Sequence, residues 1–183
     1  MSEQEAIFLT SSLGLFRNVK DFGRATPRAN TSLVRVYKAQ DFYDGLKDDD
    51  DLLHLIAHAD ATTLQTGNGK SSVKATDVLA RATTAGLTMP KVVVSTACNF
   101  HSPDWQAALK AAGVQVLIAS RSEVTPANLT AFDMAFYSAL LSRVRKTMST
   151  AERVKESFAL ADQHYRAIHA DGSPFAKFRL TEI

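Results

Sequence analysis

Lys91-Val-Val-Val-Ser-Thr-Ala-Cys98-Asn99 is an apolar run of strand length that ends at the only cysteine of the chain. A second run, Asp51-Leu-Leu-His-Leu-Ile-Ala-His58, has a similar length and ends at a histidine. Apolar runs of this kind are typical of strands that a parallel sheet buries on both faces. Ligands in open α/β sheets bind beyond the carboxyl ends of such strands. We therefore expect the thiol and the imidazole to share one edge of a sheet.

The segments around these two runs alternate between strands and helices. Capping residues and apolar positions spaced three and four apart predict helices at residues 41–46, 75–85, 102–112, 125–144 and 149–172. Strands are predicted at residues 5–11, 32–38, 114–120 and 174–180, with a basic loop at 14–30 and a hairpin-like piece at 63–69. This order predicts one α/β domain over residues 1–183, with a mainly parallel sheet and helices on both faces.

The composition limits the kinds of partner that the protein is expected to have. A chain of 183 residues with 45% hydrophobic and 22% charged residues fits a single globular domain. A net charge of +2 is too small to argue for a nucleic-acid partner. No apolar run approaches the ~20 residues that cross a membrane. The N-terminus lacks the features of a signal peptide, and one cysteine makes no internal disulfide, so we expect a soluble cytoplasmic protein.

The chemistry expected at the shared edge is nucleophilic catalysis by a thiol. The thiolate is the competent nucleophile, and a neighbouring imidazole favours it by taking the proton. His58 is thus predicted to be the base and Cys98 the nucleophile. Acyl transfer passes through an oxyanion, for which the backbone N–H groups of Ala59 and Cys98 are the expected donors. No cofactor is expected.

Other roles for the same residue types stay open at this point. A buried free cysteine is commonly inert. His54 lies in the middle of its strand and is expected to be a satisfied core histidine. His101 competes with His58 for the role of base. Cys98, His101 and His58 also form a candidate zinc site, but the second ligand pair of common zinc motifs is missing, so no metal is expected.

Two motifs in this order resemble those of the caspase-like CHAT peptidases, which are relatives of caspases, separase and gingipains. One strand of that family ends in an apolar-His-x-x-x-His-Gly pattern, which Leu53-His-Leu-Ile-Ala-His58 resembles. A later strand ends in an apolar-Ser-x-Ala-Cys pattern, which Val92-Val-Val-Ser-Thr-Ala-Cys98 resembles. Further similar segments are residues 105–124, the Phe-Tyr-bearing helix at 128–141, and residues 149–167 and 174–181. The likeness runs from about residue 50 to the C-terminus, and residues 1–48, with the N-terminal strands and the basic loop, match only weakly.

The resemblance implies a caspase-like three-layer α/β/α sandwich that hydrolyses peptide bonds through a thioester acyl-enzyme. It implies His58 as the general base and Cys98 as the nucleophile, with a protein or peptide as substrate. It also implies activation by a regulatory partner, a signal or self-association, in a bacterial defence or death pathway.

The chain departs from the family pattern at two places, and the first, Ala59, motivates an alternative, a catalytically inactive caspase-like scaffold or binding subunit. The family has glycine where this chain has Ala59. If that position uses φ > 0, alanine costs ~1 kcal/mol or more. After the cysteine, Asn99-Phe100-His101 replaces an acidic or small polar residue followed by glycine, so the loop that shapes the site is expected to differ.

Charged residues near the strand ends are candidates for a pocket that selects the substrate side chain. Asp60 and Asp104 would form an acidic pocket, which accepts basic residues. Arg121 would form a basic pocket, which accepts acidic residues. We favour the acidic pocket, although the commoner role of such residues is surface charge.

Overall fold

The computed structural model describes residues 35–46, 50–67, 69–142, 148–168 and 174–183. The helices in this part of the chain are α1 (Ala39–Asp44), α2 (Ala75–Ala85), α3 (Pro103–Ala111), α4 (Pro126–Ser142) and α5 (Thr150–Ile168). The strands are β1 (Leu53–Leu55), β2 (Thr63–Gln65), β3 (Ser72–Lys74), β4 (Val92–Ser95), β5 (Val116–Ser120) and β6 (Phe178–Glu182). The predicted strand at residues 5–11 and the basic loop at 14–30 lie outside the described residues.

Four of these strands form one sheet in the order β1-β4-β5-β6. β1, β4 and β5 run parallel, whereas β6 pairs with β5 in the antiparallel direction. β2 and β3 form a separate antiparallel hairpin that follows β1 in the chain, as predicted for residues 63–69. The structure is therefore a mixed α/β fold with a mostly parallel central sheet, which confirms the prediction from alternating apolar runs and helices.

The alternation of side chains along β4 divides the core into two halves. Val93 belongs to a buried cluster that contains Trp105 of α3. Val92 and Val94 belong to a second cluster, which contains Phe132 of α4. Successive side chains of a strand point to opposite faces of the sheet. Helices therefore cover both faces, with α2 packed beside α3 on one face and α4 packed beside α5 on the other.

Capping residues identify three helix ends correctly. Gly86 follows α2 with a φ of 64°, the left-handed conformation that glycine adopts without a steric penalty. Ser102 caps α3, since its Oγ accepts a hydrogen bond from the N–H of Trp105 at 3.2 Å. Before α5, the predicted capping box forms, and Glu152 Oε2 accepts a hydrogen bond from the N–H of Ser149 at 2.9 Å.

The predicted strand at residues 32–38 is wrong in its described part. Residues 35–38 have no strand structure, and Lys38 is the N-cap of α1, which begins two residues before the predicted helix. The reason is a different backbone partner. The C=O of Val36 accepts a hydrogen bond from the N–H of Gly67 at 2.7 Å, so this segment is tied to the hairpin turn rather than to the sheet.

Other predicted strands begin or end at different residues in the structure. The run that ends at His58 contributes only β1, because the chain leaves the sheet after Leu55 and turns into the hairpin. The last strand starts at Phe178, because a 3₁₀ turn at Pro174–Lys177 precedes it.

An aromatic cluster fills the core on the α4 face of the sheet. Phe132 is fully buried at its centre. Its ring centroid lies 4.0 to 6.3 Å from those of Phe136, Phe158, Phe175 and Phe178.

We expect Phe132→Ala to lower the free energy of unfolding by about 3–5 kcal/mol, because the remaining aromatic rings cannot fill the cavity. Met134→Ala is the matched control, since Met134 lies on the same helix and is 57% exposed. It should change the free energy of unfolding by no more than about 0.5 kcal/mol. Urea denaturation followed by circular dichroism measures both, and equal effects would contradict a packed cluster.

Candidate active site

His58 and Cys98 follow the carboxyl ends of two neighbouring parallel strands. Leu55, the last residue of β1, pairs with Ser95, the last residue of β4. His58 and Cys98 each lie three residues beyond that pair. Since the two strands run in the same direction, the loops that carry both residues leave the sheet at the same edge.

The backbone around His58 is held by the start of the hairpin. The C=O of His58 accepts a hydrogen bond from the N–H of Gln65 at 2.8 Å, and the N–H of Asp60 donates to the C=O of Thr63 at 2.9 Å. These two bonds flank a bridge between Ala59 and Leu64. The side chain of His58 is exposed. The hairpin therefore fixes the backbone of His58 and leaves its imidazole accessible.

Cys98 lies in a tight loop that is hydrogen-bonded to the segment after β5. Its side chain is half-buried, and Sγ accepts a hydrogen bond from the N–H of Val124 at 3.4 Å. The N–H of Asn99 donates to the C=O of Ser122 at 3.3 Å. Asn99 has a φ of 54°, a left-handed conformation that asparagine tolerates better than most residues. Asn99 thus makes the sharp turn after the cysteine without a glycine.

One side chain ties the two loops together. Ser102 Oγ, which caps α3, also donates a hydrogen bond to the C=O of Ala61 in the turn after His58. Ser102 lies four residues after Cys98, and Ala61 lies three residues after His58. The contact therefore links the histidine loop directly to the cysteine loop.

The two side chains are not joined in this conformation. In the part of the chain that the structure describes, no hydrogen bond connects the imidazole of His58 to the thiol of Cys98. The sulfur instead contacts the backbone of Val124, on the β5 side of the loop.

The predicted oxyanion donors are the backbone N–H groups of Ala59 and Cys98. Ala59 occupies a position whose neighbours, rather than Ala59 itself, make the hairpin hydrogen bonds, so its N–H points away from Leu64. Neither this N–H nor that of Cys98 has an acceptor among the described residues.

The backbone of Ala59 is in an ordinary conformation, because Asn99 alone among the described non-glycine residues has a positive φ. Alanine at position 59 is therefore unstrained, which removes the expected cost of replacing glycine.

His101 is a structural residue rather than a competing base. It is buried, and its Nε2 lies 2.6 Å from Thr181 Oγ1. Its Nδ1 lies 3.3 Å from Arg121 Nε and 3.2 Å from Gln106 Nε2, which both donate. Burial lowers the pKa of His101, and the guanidinium groups of Arg121 and Arg179 lower it further. A neutral His101 therefore joins the loop after β4 to β6.

The candidate zinc site does not form. Within the described ranges, no group of three His, Cys, Asp or Glu side chains lies close enough to hold a metal ion. The structure thus does not assemble Cys98, His101 and His58 as ligands, because both ring nitrogens of His101 already bond to other side chains.

The three residues predicted to select the substrate have different surroundings in the structure. Asp60 Oδ1 accepts hydrogen bonds from the N–H groups of Thr62 and Thr63 at 2.7 and 2.8 Å. These bonds hold the pKa of Asp60 below its ordinary value, and the bond from the N–H of Thr62 has the largest effect. Asp60 therefore stabilises its own turn, and Arg121 is bound to His101. An acidic pocket would depend on Asp104, which is exposed in the first turn of α3.

A polar cluster of buried and partly buried side chains lies behind the site, on the α4 face of the sheet. His54 Nε2 is 3.2 Å from Thr96 Oγ1, and His54 Nδ1 is 2.8 Å from the hydroxyl of Tyr137. The rings of His54 and Tyr137 also stack, with centroids 5.5 Å apart. Asp133 Oδ1 lies 3.8 Å from His54 Nε2. His54 is thus a satisfied core histidine, as predicted.

The members of this cluster are uncharged at neutral pH. Burial lowers the pKa of His54 to about 3 and raises the pKa of Asp133 to about 8. Burial also raises the pKa of Tyr137 well above its ordinary value. His54 and Asp133 therefore face each other as a neutral imidazole and a protonated carboxyl group, not as an ion pair. The two carboxyl oxygens of Asp133 are buried and have no hydrogen-bond partner among the residues that the structure describes.

Sequence reasoning did not identify Asp133 and Tyr137. A signal was available, because the two residues are four apart on α4 and so share one side of the helix. Asp133 also stands beside Phe132, in the middle of a strongly apolar helix. A carboxyl group in such a position is either exposed or buried with a shifted pKa, and the sequence pattern does not distinguish the two.

No protein-family model matches this chain, and no curated protein matches it. Function is therefore inferred from the geometry of the site and from the motifs. Within the described ranges, every helix is either too short or too polar to span a bilayer.

We expect substitutions of Asn99 to follow its left-handed conformation. Asn99→Gly should change the free energy of unfolding by less than about 1 kcal/mol, since glycine adopts this φ freely. Asn99→Val should lower the free energy of unfolding by about 1–2 kcal/mol more than Asn99→Gly does, because a β-branched residue is strained there. Thermal or urea denaturation compares them, and equal stability would contradict the positive φ.

We expect Asp133→Asn to change how stability depends on pH. Because burial raises the pKa of Asp133 from 3.8 to about 8, the folded state keeps a proton that the unfolded state releases. Stability from this group is complete below the unfolded pKa and is lost as the pH rises towards about 8. The variant lacks this loss, so its free energy of unfolding relative to wild type should rise between about pH 5 and about pH 8.

The matched control for this comparison is Asp104→Asn, which removes an exposed carboxylate. Its stability relative to wild type should be the same at the two pH values. Urea denaturation at both values gives the differences. A constant difference for Asp133→Asn would mean that Asp133 is ionised in the folded protein.

Proposed function

We propose that the protein is a caspase-like cysteine endopeptidase in which His58 is the general base and Cys98 the nucleophile. The observation that carries this proposal is the register of β1 and β4, which sets both residues three positions beyond the pair Leu55–Ser95. The contact between Ser102 and Ala61 supports it by linking the two loops. The motif resemblance to CHAT peptidases supplies the reaction class.

The chemical steps follow from the residue types at the edge. His58 takes the proton of the thiol, and Cys98 Sγ attacks the carbonyl carbon of the scissile peptide bond. The N–H groups of Ala59 and Cys98 donate to the oxyanion. The C–N bond then breaks, and His58 returns the proton to the leaving amine, which leaves a thioester. Water, deprotonated by His58, cleaves the thioester and restores the thiol.

The contact of the sulfur with Val124 defines what activation has to change. A hydrogen bond of 3.4 Å to sulfur is a weak restraint, and catalytic hydrogen bonds often form only in the substrate complex. We propose that the Cys98 side chain already turns towards His58 in a fraction of the free molecules, and that a regulatory partner, a signal or self-association increases this fraction. A place in bacterial defence or cell death belongs to the same proposal, because it comes from the motif resemblance.

The alternative function is an inactive caspase-like scaffold or binding subunit. The absence of a hydrogen bond between His58 and Cys98, both described residues, favours it. The unstrained backbone of Ala59 weakens the alternative, because the replacement of glycine by alanine costs no strain here.

We expect Cys98 to react with iodoacetamide at least about tenfold faster in the wild type than in His58→Ala at about pH 7, because an unassisted cysteine is only a few per cent thiolate there. The single cysteine makes the label unambiguous. Intact-mass spectrometry against time measures the rate, without a known substrate. The matched control is His164→Ala, which removes an exposed histidine of α5 and should leave the rate unchanged.

A slow reaction that does not depend on His58 would contradict the dyad and favour the scaffold. Cleavage of a mixture of unfolded proteins that persists in purified Cys98→Ala would contradict Cys98 as the nucleophile.

A further inference from the structure

We propose that Thr96 and His54 are positioning residues that set the relative placement of the Cys98 and His58 loops. The inference rests on the proposed dyad. It concerns two residues that would not touch the substrate and that act through the backbone leading to the dyad. Thr96 lies two residues before Cys98, and His54 lies four residues before His58.

Thr96 makes the last contact between the two strands before the loops diverge. Its N–H donates to the C=O of Leu55 at 3.0 Å, one residue beyond the last paired position of β4. Its hydroxyl lies 3.2 Å from His54 Nε2 and 3.5 Å from the C=O of Leu55. Thr96 therefore binds both a backbone group and a side chain of β1.

The hydrogen bonds of the cluster have a consistent direction. We assign the tautomer of the neutral His54 from Thr96. A hydroxyl that donates to the C=O of Leu55 accepts from His54 Nε2–H, which leaves Nδ1 to accept from the hydroxyl of Tyr137. The hydroxyl of Thr96 then points towards the C=O of Leu55. The chain of contacts runs from α4 through β1 to the end of β4.

The chemistry of this cluster argues for a role beyond packing. Val92 and Val94 show that apolar side chains fill the same face of the sheet. A valine at position 96 would pack there without the free-energy cost of burying polar groups. Hydrogen bonds, unlike apolar contacts, fix direction and distance. A directed contact two residues before the thiol holds the cysteine loop at a defined height against the histidine loop.

The experiment compares Thr96→Val, which removes only the hydroxyl, with Thr96→Ser, which keeps it. The readout is the rate of Cys98 alkylation at about pH 7, in proteins with and without His58→Ala. We expect Thr96→Val to slow alkylation at least about fivefold, the factor that corresponds to one typical net hydrogen bond. Thr96→Ser should react like the wild type. In the His58→Ala background, Thr96→Val should cause no further decrease.

A control for stability alone is Val154→Ala, which removes buried methyl groups of α5 from the same half of the core. It should lower the free energy of unfolding but leave the alkylation rate unchanged. If Thr96→Val does not fold, Tyr137→Phe tests the same chain of contacts, because it removes the donor to His54 and keeps the ring. It should slow alkylation in the same way.

Each outcome has one meaning. A Thr96→Val protein that reacts like the wild type, while His58→Ala reacts slowly, overturns the positioning role and leaves the dyad intact. An equal decrease with and without His58 also overturns it, because Thr96 would then act on the thiol independently of the base. A wild-type rate that His58→Ala does not change overturns the proposed dyad itself, and the inference with it.

Discussion

β1 and β4 run side by side, and their contact ends where the N–H of Thr96 donates to the C=O of Leu55 at 3.0 Å. Parallel pairing delivers both chains to the same edge, so the positions of His58 and Cys98 depend on its register. A slip of one residue would turn His54 to the other face of the sheet. It would lose Tyr137 there, and the two loops would leave the sheet at different heights. The register therefore couples the core to the candidate site.

The polar cluster behind the site is kept neutral rather than ionic. His54 and Asp133 are close enough to be counted as an ion pair, at 3.8 Å. The pKa of about 3 for His54 and about 8 for Asp133 instead leaves both uncharged at neutral pH. Burying two charges costs more than their attraction returns unless the geometry is excellent. In the described part of the chain, the oxygens of Asp133 have no hydrogen-bond partner. Burying these polar groups costs free energy, on a face of the sheet where Val92 and Val94 pack elsewhere. The cluster lies next to the loop that carries the only cysteine of the sequence.

The hairpin after β1 explains why alanine is tolerated at position 59, where the CHAT peptidase pattern has glycine. Hydrogen bonds at His58 and Asp60 flank Ala59, so its N–H is turned outward while its backbone stays in an ordinary conformation. A left-handed turn occurs at Asn99, directly after the cysteine. The backbone thus presents two N–H groups at the strand edge, whereas the thiol itself still faces Val124.

Much of the fold follows from local patterns in the chain. The apolar runs, the glycine after α2, the serine cap of α3 and the capping box of α5 identify strands and helix ends, because periodicity and capping act within a few residues. The candidate residues His58 and Cys98 are also visible, since each ends an apolar run. The orientation of the thiol and the bonds of His101 to Arg121 and Thr181 are not visible, because they depend on partners 20 to 80 residues away. Asp133 and Tyr137 belong to the same class: their shifted pKa values arise from burial against β1, more than seventy residues away. The outward N–H of Ala59 follows from a local pairing with Leu64, whose register the sequence pattern does not define. Sequence patterns identify which residues reach the strand edge, and long-range packing fixes which way their side chains point, because only packing brings distant groups into contact.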